Sequence, residues 1–315
     1  MKWFEDFRKE MTAVFVQAET IVARFPQPFD TAGQRYLEQF TVLKEASSKN
    51  YICYLLPFWL SDATGLEPAL NKKLALGSVF GMLYYFIMDD LIDSPNPECR
   101  QKLPLGHLFH YEFLSIFREL FPAPDCPIWN CYRVYDAQWA EAMIREKDSV
   151  YMRDVPLTLA HKAAPVKLTG MGALLLANHA DLREEMERQV DQILVLLQLV
   201  DDWSDWQEDL LEGSYNALVA LAAESLGPDP SVPSPDIIRK LIYDRGLLDR
   251  YVQMAEKLLQ DQPQSRQRLT LPYMQAFGKF LLNGLSQEAA KIRKEKQLLE
   301  SGGLFYYLSK NLQNS

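Results

Sequence analysis

Cysteine is scarce: Cys53, Cys99, Cys126 and Cys131 are the four in the chain, and no two stand in CxxC spacing. That is too few for a disulfide framework and the wrong spacing for a thiolate zinc site. Histidine is as sparse, at four residues. His107 and His110 share a helix face by spacing, but they read as surface histidines rather than a metal pair. Net positive charge is missing too. Lys and Arg number 33 against 42 Asp and Glu, a formal charge of -9. No basic field is therefore available for a nucleic-acid backbone or an anionic membrane, and nucleic acid is excluded as a partner. An anionic substrate has to be captured locally, by metal ions or a few basic side chains. No segment shows sustained alternation with Val, Ile and Thr, so no sheet is expected. The apolar run Leu74 to Met88 has 15 residues and stops at two aspartates. Crossing a bilayer takes roughly 20, so it reads as a buried helix and not a transmembrane segment. The N-terminal residues are mixed in charge and lack an apolar signal core, which points to a cytoplasmic protein.

What is present is helical periodicity. Hydrophobic residues make up 48% of the 315, a globular share. They recur at three- and four-residue spacing over 4–24, 66–93, 107–120, 129–147, 182–211 and 247–260. Proline clusters break the pattern at 94–97, 121–127 and 227–235. The last is the best linker candidate, yet the chain beyond it is too short and too amphipathic to need its own core. A single domain over 1–315 is expected. Leu74 to Met88 and Ile193 to Val200 are apolar on most faces, as helices surrounded by other helices are. The expected fold is an all-α bundle with at least two central helices.

Both central helices end their apolar runs alike. One reads Met88-Asp89-Asp90-Leu91-Ile92-Asp93, the other Val200-Asp201-Asp202-Trp203-Ser204-Asp205-Trp206-Gln207-Glu208-Asp209. Each contains DDxxD. At this aspartate content chance supplies roughly 0.09 such matches per chain, so a pair is not accidental. Residues i and i+4 share a helix face about 6 Å apart, which aligns Asp89 with Asp93. Asp201, Asp205 and Asp209 form a longer stripe on the second helix, with Glu208 off it. Like charges so placed destabilise a bare helix. A hard divalent cation between them removes the repulsion, and carboxylate oxygens with substrate phosphates are what magnesium takes. Asp89, Asp93, Asp201, Asp205 and Asp209 are the candidate metal ligands. Two acidic patches at the mouth of an apolar bundle suit a metal-clamped diphosphate with an apolar tail below. Tyr85, one turn deeper than Asp89 on the same face, and Phe86 are candidate contacts for that apolar tail. Tyr215, in the loop after the second motif, is placed to cap the site. The same spacing leaves core packing open for both rings of the pair.

The two motifs resemble the paired aspartate-rich motifs of the isoprenoid synthase superfamily, over about residues 30 to 300. That group holds trans-prenyltransferases, head-to-head squalene and phytoene synthases, and ionisation-initiated (class I) terpene cyclases. The resemblance implies a helical bundle around a central apolar cavity, three Mg2+ ions, a prenyl diphosphate substrate, and a homodimer. It makes Asp89, Asp90, Asp93, Asp201 and Asp205 catalytic. It also makes Lys162, in His161-Lys162-Ala-Ala-Pro165, a ligand of the allylic diphosphate. Arg153 lies near where cyclases place a diphosphate-sensing arginine, and Tyr307 and Lys310 near a mouth-closing position. Branch is read from departures. Elongating prenyltransferases carry Gly-Lys-Arg-x-Arg-Pro upstream of the first motif. The corresponding stretch here, Ser48-Lys49-Asn50-Tyr51-Ile52-Cys53, keeps only the lysine. A second diphosphate has lost its fork-shaped donors. The expected activity is therefore a terpene synthase cyclising farnesyl or geranylgeranyl diphosphate, a lyase releasing diphosphate. The rivals are a chain-elongating or head-to-head prenyltransferase and a non-catalytic helical partner subunit.

Overall fold

The computed structural model describes residues 1–44, 50–93, 102–145, 156–227, 232–260, 268–300 and 303, with the side chains of Asp93 and Pro156 left out. Lys49, Arg153, Tyr307 and Lys310 lie outside these residues. The elements are α1 (Lys2–Glu5), α2 (Arg8–Val22), α3 (Phe29–Phe40), α4 (Tyr51–Trp59), α5 (Ser61–Thr64), α6 (Pro68–Asp93), α7 (Leu103–Leu120) and α8 (Pro127–Arg145). A 3-10 stretch (Pro156–Val166) leads into α9 (Lys167–Leu176). A 3-10 turn (Ala180–Leu182) precedes α10 (Arg183–Glu212). Then come α11 (Ala217–Glu224), α12 (Pro235–Arg245), α13 (Leu247–Gln260) and α14 (Pro272–Glu300). No strand occurs among the described residues.

The chain divides into two compact units. One comprises Met1–Ile144, His161–Asp191 and Gln264–Ala276; the other comprises Arg145–Ala160, Gln192–Pro263 and Phe277–Ser315. Helices α10 and α14 each begin in the first unit and end in the second.

In the first unit α6 is the core helix, and Leu74–Leu83 are buried without interruption. It is the one described helix long and apolar enough to cross a membrane, and 61% of that window is buried inside the protein. Its partner α7 packs against two glycines. A Cβ on Gly77 would sit 2.8 Å from the Phe117 ring, and one on Gly81 would sit 3.0 Å from Phe113. The rings fill space that side chains would otherwise claim. Helix α4 is buried along its whole length, although Pro57 stands inside it. Proline has no N–H, so the carbonyl four residues earlier, Cys53, loses its helical donor. Ser78 Oγ of α6 supplies that hydrogen bond, and Thr169 Oγ1 of α9 donates to Ser78 Oγ at 3.1 Å. A buried polar chain thus satisfies a proline's missing donor and joins three helices.

The second unit is built on the later turns of α10. Tyr251 Oη of α13 donates to the Leu199 carbonyl at 3.0 Å, and Gln192 Nε2 donates to that of Leu258 at 2.9 Å. Helix α13 buries Leu247, Leu248, Tyr251, Val252 and Ala255, a single apolar face. Gly278 of α14 lets Ile193 approach, since a Cβ there would lie 2.7 Å from its Cδ1. The stretch 291–296 is a helix face as expected, exposed apart from buried Ile292 and partly covered Glu295 and Lys296.

Candidate functional site

The two DDxxD motifs sit in different units. In the first unit Asp89, Asp90 and Asp93 occupy the last two turns of α6. Asp89 is half-buried, and its Oδ1 accepts a hydrogen bond from Trp139 Nε1 of α8 at 3.1 Å. Asp90 is held differently: Lys102 Nζ pairs with its Oδ2 at 2.7 Å, while that ammonium lies 5.6 Å from the Tyr36 ring centroid. Burial and these carboxylates hold the Tyr36 hydroxyl well above the usual tyrosine range. Asp89 thus has a neutral indole donor on Oδ1, and Asp90 has an ammonium beside Oδ2.

Tyr85 is only 4% exposed. Its hydroxyl donates to Asp136 Oδ1 at 2.9 Å, and its ring meets Trp139 edge-on at 5.0 Å. This packing between α6 and α8 accounts for its burial without a substrate. Phe86 is half-buried and stacks on Phe40 at 4.5 Å. His110 is not the surface residue that spacing suggested. It stacks on Tyr84 at 4.4 Å and hydrogen-bonds the Tyr132 hydroxyl at 2.9 Å, and burial pushes its imidazole below the ordinary value.

Lys162 is half-buried in the 3-10 stretch before α9 and has interactions of its own. The more buried cation is Lys167, which no sequence motif marks. Its side chain is 3% exposed; it pairs with Asp191 at 3.0 Å, donates to Gln138 Oε1 at 3.2 Å and lies 5.2 Å from the Tyr135 ring centroid. The available signal was a lone lysine at the head of the apolar run 167–176. Tyr51, Ile52 and Cys53, set against the diphosphate-binding stretch of elongating enzymes, form the buried first turn of α4.

In the second unit α10 carries the other acidic set. The oxygens that gather are those of Asp202, Asp205 and Asp209, all within 4.8 Å of one another. Asp201 is exposed. The difference comes from helix geometry. At 100° per residue a seven-residue step returns to within about 20° of its start, whereas the eight-residue step from 201 to 209 drifts by about 80°. Glu208 is exposed, off the cluster.

The three carboxylates are not equivalent. Asp202, 1% exposed, accepts from Gln198 Nε2 at 2.8 Å and from the Ala217 N–H at 2.6 Å. It therefore works as a cap on α11. Asn216 completes that cap: its Oδ1 accepts from the Leu218 and Val219 amides, and its Nδ2 donates to Asp209 Oδ2 at 2.8 Å. Asn216 and Asp202 were not singled out by spacing; Asn before an apolar run is the cap signal that could have found the first. Tyr215, just before it, is half-buried and also engaged. Asp205 is left over. Its Oδ1 is buried with no hydrogen-bond partner. Burial first, then Asp209, Asp201 and Asp202, push its carboxyl up to about 7. An orphaned oxygen among carboxylates is what a divalent cation satisfies, so the donor set fits Mg2+. A separate groove of about 650 Å³ between α2, α6 and α7 contains no residue of either motif.

No protein-family model matches the chain, and no curated protein matches it. Among solved structures it is similar to a geranylgeranyl pyrophosphate synthetase from the archaeon Geoglobus acetivorans. The two are 16% identical over 90% of this chain and 99% of that one, with a TM-score of 0.64. The chain has the all-helical isoprenoid synthase fold.

Proposed function

We propose that this chain is a Mg2+-dependent enzyme that ionises an allylic prenyl diphosphate. The observation that carries the proposal is the buried, unpartnered Asp205 oxygen among three clustered carboxylates, in a chain of isoprenoid synthase fold with a second DDxxD at the end of α6. Asp205 and Asp209 are the ligands in the second unit, with Asp202 fixing the next helix, α11. Asp89 and Asp93 are the ligands in the first. Three Mg2+ ions, when bound, would neutralise charge developing on the diphosphate as its C–O bond breaks. Lys162, Arg153 and Tyr215 are the candidate contacts of the diphosphate, and Asp90 pairs with Lys102. A non-catalytic partner subunit has no use for an acidic set kept at this cost.

Beyond ionisation, we assign cyclisation of farnesyl or geranylgeranyl diphosphate. Ser48–Cys53 lacks the paired arginines that hold a second diphosphate, and its last three residues are buried in α4. The second reading, chain elongation by a trans-prenyltransferase, is favoured by the likeness to a geranylgeranyl pyrophosphate synthetase. A single domain and a cytoplasmic, homodimeric protein belong to the same proposal; the helices α10 and α14, shared by both units, support the first.

Product analysis separates the readings. The protein is incubated with C10, C15 and C20 allylic diphosphates, each with and without isopentenyl diphosphate. Cyclisation yields hydrocarbon or alcohol from the allylic diphosphate alone. Product formed only when isopentenyl diphosphate is added assigns elongation instead.

A further inference from the structure

The geometry points to Trp139 as a positioning residue for Asp89, an inference that rests on the reading of the first DDxxD as a metal–diphosphate site. Helices α6 and α8 are joined by two hydrogen bonds of opposite sense. Tyr85 of α6 donates to Asp136 of α8 at 2.9 Å, and Trp139 of α8 donates to Asp89 of α6 at 3.1 Å. Tyr85 and Asp89 are one turn apart on α6, and Asp136 and Trp139 one turn apart on α8. The indole is fixed in turn by its edge-on contact with Tyr85 at 5.0 Å.

The donor's chemistry matters as much as its place. An indole N–H occupies a lone-pair site of the carboxylate without cancelling its charge, whereas the Lys102 ammonium pairs off Asp90. Trp139 therefore orients the Asp89 carboxylate without adding a charge of its own. Hydrogen-bond donors behind a metal-ligating carboxylate orient it, and their loss typically costs about 10- to 100-fold in metal affinity.

The test is Mg2+ binding to the full chain by titration calorimetry, with inorganic diphosphate present and no allylic substrate, for wild type, W139F, D89N and the double variant. W139F is expected to weaken Mg2+ binding about 10-fold or more and to raise the Mg2+ concentration for half-maximal turnover by the same factor, with kcat at saturating Mg2+ within about twofold. In the D89N background W139F is expected to change nothing further. Should W139F fold poorly, benzothienylalanine at 139 keeps the bicyclic shape and removes only the N–H, and the same weakening is expected. An unchanged isotherm for the folded variant, with D89N impaired, overturns the role of Trp139 alone. If D89N binds Mg2+ as the wild type does, the metal reading of the motif falls and the inference with it.

Discussion

Aspartates 202 and 205 stand three positions apart on one helix and have opposite tasks, which makes them the sharpest comparison in the molecule. Asp202 is buried with two donors on its oxygens, one of them the Ala217 amide. Asp202→Ala strands that amide and is expected to cost roughly 1–3 kcal/mol of stability. Asp205 has a buried oxygen without a partner, and its carboxyl is pushed up to about 7. A carboxyl raised above its ordinary value costs stability once it ionises, so at pH 8 Asp205→Asn should leave the metal-free melting temperature equal or higher while abolishing turnover. Thermal melts in chelator beside turnover in Mg2+ check both, and parallel losses in the two variants would contradict the division. His110 provides the pH-dependent case. Burial lowers its affinity for the proton, outweighing nearby Asp136, with His107 acting in the same direction. Its contribution is present above the unfolded value of 6.5 and is lost as pH falls below it. Melts of wild type and His110→Gln should therefore converge on acidification from pH 7.5 toward 5.5; a constant gap would mean that His110 is not held neutral.

At the scale of elements, helix existence was legible and helix chemistry only partly so. The periodic stretches 66–93, 107–120, 129–147, 182–211 and 247–260 correspond to α6, α7, α8, α10 and α13, whose ends fall within a few residues of the expected ones. Periodicity reads a buried face well because burial imposes it. It could not show that Asp202 rather than Asp201 joins the cluster, since a stripe drawn on four-residue steps drifts around the helix. Nor could it find Trp139, Lys167 or Asn216, whose partners are 50, 24 and 7 residues away along the chain. Close helix approach is also a property of pairs. Gly81 has a ring where its side chain would be, and Gly81→Leu should cost about 1–3 kcal/mol through overpacking against Phe113. Gly284 of α14 has open space around it, and Gly284→Ala should gain about 1 kcal/mol from helix propensity. Denaturant unfolding of the two variants measures the contrast; equal effects would remove the packing argument.

For the whole molecule, the fold class was readable because a pair of DDxxD motifs at the ends of two apolar helices has few structural homes. The branch of chemistry was harder to read, because it depends on which side chains surround the substrate and not on the motifs shared by every branch. The likeness to a geranylgeranyl pyrophosphate synthetase is one of fold, at 16% identity. If the aspartates bind metal in order to ionise an allylic diphosphate, diphosphate release depends on both Mg2+ and Asp205. Inorganic diphosphate is measured from farnesyl and geranylgeranyl diphosphate across a Mg2+ titration, for the wild type and Asp205→Asn. Release by the wild type is expected to rise with Mg2+, to stop in chelator, and to fall by at least about 100-fold in the variant. Release that persists in chelator, or is unchanged in Asp205→Asn, would contradict it.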